Sequence, residues 1–114
     1  MTVIAERQPL YVLRSDGSIQ NKYVLKLINE SDRDVHVTFN ATSDMQNQSV
    51  FGAETPLLMH HGSISQYTVF IKVPEKNVTH EITPIEFTVQ NTGDQTMRAR
   101  YSTVFNGPKV ANQN

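Results

Sequence analysis

The chain has 114 residues, 38% of them hydrophobic, with 10 Lys and Arg against 11 Asp and Glu for a formal net charge of −1, and no cysteine. This is the length of one ordinary domain, without the cationic excess of a nucleic-acid or membrane-surface binder, and with no disulfide, thiolate nucleophile or cysteine-ligated cluster of its own. No apolar run approaches the roughly 20 residues of a membrane-spanning helix, and Met1–Arg7 turns charged too soon for a signal peptide, so export would depend on a segment upstream.

Taken in chain order, the residues alternate with a period of two rather than 3.6. Leu10–Arg14 and Ile19–Ile28 flank Asp16-Gly17, a hairpin signal because both positions tolerate positive φ. Tyr23, Leu25 and Leu27 share one face of the second run. Val35, Val37 and Phe39 oppose His36, Thr38 and Asn40; Tyr67, Val69, Ile71 and Val73 line a later run. Ile85, Phe87 and Val89 oppose Glu86, Thr88 and Gln90, and Met97, Ala99, Tyr101, Thr103 and Phe105 oppose Arg98, Arg100 and Ser102. One buried and one wet face per strand predicts two packed sheets. Strands are expected over 8–14, 19–29, 35–41, 48–52, 64–73, 83–90 and 97–106, the fold class being an all-β, seven-stranded immunoglobulin-like sandwich of Greek-key type. A single domain spans 1–114, with 1–6 and 109–114 as flexible ends and no helix beyond a turn at Pro56–His61. The expected core is Tyr23, Leu25, Leu27, Val37, Phe39, Val69, Ile71, Phe87, Val89 and Tyr101.

Few residues offer chemistry. Met59, His60 and His61 form the only local cluster of metal-ligand types, and imidazole with thioether suits copper. Adjacent strand residues point to opposite faces, so both histidines reach one ion only from a loop; an exposed loop beside Gly62 is the plainer reading. Asp32-Arg33-Asp34 falls short of the spaced oxygen ligands calcium needs. No nucleophile elbow, phosphate loop or acid–base pair stands out. Arg98 and Arg100 share the wet face of the last strand, either in cross-strand pairs with residues such as Glu86 or as a docking surface for a partner.

Three stretches carry a resemblance. They are Arg7-Gln8-Pro9-Leu10, then Ser15-Asp16-Gly17-Ser18-Ile19-Gln20-Asn21 through the first hairpin, and Val104-Phe105-Asn106-Gly107-Pro108 at the end. Together they resemble the C-terminal immunoglobulin-like domain of the FixG/CcoG family of bacterial cytochrome oxidase accessory proteins. The resemblance implies a non-catalytic interaction or structural module on the periplasmic side of the inner membrane. It implies attachment to a membrane-spanning region that binds two [4Fe-4S] clusters and helps mature the cbb-type haem–copper oxidase. This chain would itself hold no cofactor. Its expected partners are proteins, either oxidase subunits or copper-delivery proteins, with no nucleic acid and no membrane insertion by the domain itself. The alternatives are a copper-binding module using Met59, His60 and His61, or an unrelated adhesin-type sandwich.

Overall fold

The structure, a computed structural model, describes residues 1–8 and 11–108. In chain order its strands are β1 (Thr2–Arg7), β2 (Val12–Leu13), β3 (Ser18–Asn29), β4 (Val35–Thr42), β5 (Ser49–Phe51), β6 (Leu57–Met59), β7 (Ser63–Pro74), β8 (Ile82–Asn91) and β9 (Arg98–Asn106), with a 3-10 turn at Glu75–Asn77. They form two antiparallel sheets. One has the order β1-β3-β7-β5, with β2 also pairing β3; the other has the order β6-β4-β8-β9.

The architecture is thus the all-β, two-sheet arrangement that period-two alternation predicts, but with nine strands among the described residues rather than seven. The two additions have clear causes. Residues 1–6, expected to be a flexible end, run instead along β3 from Thr2↔Ile28 to Arg7↔Tyr23. Val3 and Ala5 point into the core, and that burial together with the ladder holds the segment in place. Residues 57–59, expected in a helical turn, are extended and pair with Val35–Val37, turning Leu57 and Met59 inward. Of the first expected strand, 8–14, the described residues are extended and paired at Val12–Leu13; Pro9, Leu10 and the tail 109–114 lie outside the described residues.

The β2–β3 connection is a three-residue loop rather than a two-residue one. Arg14 donates its amide to the Ser18 carbonyl at 2.8 Å, and Gly17, at φ +81°, takes the left-handed position that closes such loops. Asp16 accepts from the Ser18 amide at 3.1 Å and from its hydroxyl at 2.5 Å.

The core fills the space between the sheets. Nine of the ten expected residues are buried; Tyr101 faces inward but is half-covered, because β9 is an edge strand. Phe87 sits at the centre, 4.8 Å from the Tyr23 ring edge-on and 5.0 Å from the Phe39 ring. Two polar side chains of β3 reach across to the other sheet. Tyr23, fully buried, donates its hydroxyl to the Val104 carbonyl at 2.7 Å. Asn21 treats Asn106 as a paired strand would: its amide donates to the Asn106 carbonyl at 2.7 Å and its oxygen accepts the Asn106 N–H at 2.8 Å. These bonds clasp the end of β9 to the opposite sheet.

Candidate functional site

The copper candidates are separated by the alternation of β6. Met59 is fully buried in the core, while His60 and His61 follow it into an exposed turn. The histidines gather around Asp34, at the end of the β3–β4 loop. Asp34 accepts the His61 backbone N–H at 2.9 Å, lies 2.6 Å from His61 Nδ1 and 3.7 Å from His60 Nδ1. The thioether thus points away from the imidazoles, and the imidazoles' near nitrogens are turned to a carboxylate. Among the described residues no group of three or more His, Cys, Asp or Glu is placed to hold a metal ion.

The loop before Asp34 is organised by Asn29. Its buried side-chain amide donates to the carbonyls of Arg33 at 2.7 Å and Met59 at 3.0 Å, and its oxygen accepts the Ser31 amide at 3.0 Å. Asn29 thereby ties the β3–β4 loop to the end of β6, and Asp34 adds a second tie through His61.

The hydrogen bonds from the His61 amide and ring hold the Asp34 carboxyl below its ordinary range, and those from Lys72 and Ser18 do the same for Asp16. A depressed folded value means the ionised acid is the form that stabilises the fold. Its contribution is therefore present above the unfolded carboxyl range near pH 4 and fades as pH falls through the folded values. Asp34→Asn removes that contribution, so the variant should be slightly less stable than wild type in the neutral region, Asp34 being solvent-exposed, and the deficit should close as pH falls below about 4, which flattens the acid limb. Urea midpoints measured from pH 2 to 7 would check this; an unchanged acid limb would rule out the Asp34 tie.

Arg98 and Arg100 are exposed on the outer face of the second sheet, opposite Gln90 and Thr88. Neither makes an ion pair among the described residues, so the cross-strand pairing with Glu86, which lies opposite Ser102, does not form. Their neighbours on that face, Thr38, Asn40, Thr88 and Gln90, are uniformly polar.

The outer face of the first sheet is of another character, and sequence reasoning missed it. Phe51, Phe70 and Lys22 stand in one cross-strand row, and Lys72, Gln20 and Val12 in the next. Phe51 is 45% exposed and Val12 48%. Lys72 lies 5.5 Å from the Phe51 ring centroid and 2.8 Å from Asp16 Oδ2. Arg14, Gln20, Phe51, Phe70 and Lys72 line a shallow groove of about 360 Å³. The available signal was Phe70, an aromatic on the wet side of an otherwise regular Val69–Val73 alternation.

The motif residues of the two chain ends meet in space. Asn21 clasps Asn106, and Gly107 follows at once where a Cβ would come within 2.5 Å of Val78 Cγ1. The pattern of the family described as the IG-like fold at the C-terminal of FixG matches residues 1–108. Among solved structures, the chain is similar to a FixG-related protein from Vibrio parahaemolyticus. That match has a TM-score of 0.79 at 16% identity and covers 91% of this chain and 93% of that one. A protein from Archaeoglobus fulgidus also matches, with a TM-score of 0.51 at 14% identity, covering 95% of this chain and 97% of that one. No curated protein matches. At these identities the two structures establish a shared fold.

Proposed function

Since the chain belongs to the family of immunoglobulin-like domains found at the C-terminal of FixG, we propose that it is a non-catalytic interaction and structural module of a membrane-anchored accessory protein for assembly of a cbb-type cytochrome oxidase. It stands on the periplasmic side of the bacterial inner membrane. The iron–sulfur chemistry of the whole protein resides in its upstream part, and this domain supplies a protein-binding surface for oxidase subunits or copper-delivery proteins.

The observation that supports this reading is how the interior polar groups are used. Asn21, Tyr23 and Asn29 are all committed to backbone partners that hold sheets and loops together. No buried side-chain nitrogen or oxygen among the described residues is left without a partner. Side chains able to meet another molecule are therefore on the outer faces, which suits docking.

The test replaces residues 1–108, in the full-length protein, by an unrelated immunoglobulin domain of similar size. The chimera should accumulate normally yet support much less assembled oxidase. Full oxidase levels with the chimera would sink the docking role. Calorimetric titration of the domain with Cu(I) and Cu(II) separates this reading from copper handling. Only weak binding is expected, whereas a one-to-one sub-micromolar site lost in the His60→Ala/His61→Ala variant would overturn it.

A further inference from the structure

The two outer faces are unequal, and the inequality indicates which face docks and what it takes. Resting on the interaction-module reading above, we infer that the groove on the outer face of the first sheet binds an extended, acidic segment of a partner protein that carries an aromatic or aliphatic side chain. The groove lining contains two cations, Arg14 and Lys72, two phenyl rings, Phe51 and Phe70, and no acid. Lys22 adds a third cation beside Phe70 in the same row.

The roles of the cations differ. Lys72 is held by Asp16 at 2.8 Å and lies near the Phe51 ring, so it fixes the groove wall. Arg14 and Lys22 are exposed and make no ion pair among the described residues, so they are free to meet carboxylates. Arg14 can take a carboxylate through two parallel N–H donors. Phe51, nearly half exposed on edge strand β5, and Phe70 between it and Lys22 offer an apolar platform beside these charges, the kind of aromatic anchor around which binding energy concentrates.

Charge argues for this occupant over the others. A second copy docked face to face would set cations against cations. A lipid surface calls for about 4–8 clustered basic residues, more than the three present. The chain as a whole is at −1, so the cationic groove is a local feature that steers acidic partners to one place.

The experiment uses the full-length protein in cells, with a photo-crosslinking phenylalanine analogue at Phe51, at Thr38 or at Arg100. Phe51 should crosslink to a partner protein through a peptide with more Asp and Glu than Lys and Arg, and the other two positions should not. Arg14→Glu with Lys22→Glu should cut the Phe51 yield about tenfold or more, with the protein's own level unchanged. Acid-to-lysine changes in the mapped partner segment should restore it. Crosslinks to lipid, to a second copy or to a non-acidic segment would overturn the inference, as would a yield indifferent to the charge reversal. Crosslinks from Thr38 or Arg100 alone would overturn it while leaving the docking role intact. Silence at all three positions would remove both.

Discussion

Phe87→Ala should cost about 3–5 kcal/mol, the usual range for truncating a fully buried phenylalanine. Against a total of about 5–15 kcal/mol for a domain, that brings the variant close to unfolding. The cost is expected at the high end because Phe87 has two ring partners in different strands. Tyr23 comes from β3 in the first sheet, and Phe39 comes from β4 in its own sheet. Removing the ring leaves a cavity where the sheets meet, and neither partner can collapse into it without giving up something. Tyr23 is held by its hydroxyl to Val104, and Phe39 by the ladder to Val89. Thr88→Ala, one residue along and on the outer face, should cost a small fraction of this. Urea midpoints of the two variants would decide it, and equal losses would mean the face assignment of β8 is wrong.

Asn21→Ala should be the costliest polar substitution in the domain, at about 2–4 kcal/mol, because one side chain satisfies both backbone groups of Asn106 and alanine leaves both without a partner. The size alone does not distinguish the clasp from lost packing, but Asn21→Asp does. At neutral pH the carboxylate would still accept the Asn106 N–H and would repel the Asn106 carbonyl, so the variant should be at least as unstable as alanine. When protonated, the acid can donate to that carbonyl and restore the asparagine pattern. The protonated form is thus favoured in the folded state, and the variant's deficit relative to wild type should shrink as pH falls toward 4. Asn21→Ala should show no such recovery. Parallel pH dependence of the two variants would show that the clasp is not what Asn21 contributes.

The legibility of this fold followed the alternation. Where six or more residues alternated cleanly, as at 35–41 or 83–90, strand and face were both readable, because burial on one side fixes register. Legibility failed at short or mixed segments. Met1–Arg7 buries only two small side chains, Val3 and Ala5, with Met1 partly covered beside them, too little apolar area to stand out, and its strand character comes from β3 being there to pair with. Leu57–Met59 has the period of a strand and the length of a helical turn, and only β4 settles which. Asn21 could be assigned a backbone hydrogen bond from its chemistry, but its partner lies 85 residues away and no local pattern could name it. The candidate surface divides the same way. Arg98 and Arg100 were visible as an exposed pair because they share one strand. The Phe51–Phe70–Lys22 row is assembled from three strands and exists only once β5, β7 and β3 are side by side.

The clasp also sets a clock on synthesis. Tyr23 and Asn21 leave the ribosome early, but their partners Val104 and Asn106 belong to the last strand. At about 5–20 residues per second, the 81-residue separation of Tyr23 and Val104 takes roughly 4–16 s to make. Through that interval the Tyr23 phenol and the Asn21 amide lack their native partners, and the part of the core that Phe105 of β9 fills stays open. A chain released before β9 would keep both groups unpartnered and the β8 edge open, so quality-control factors that bind exposed strands have a defined window in which to act, ending when Asn106 arrives.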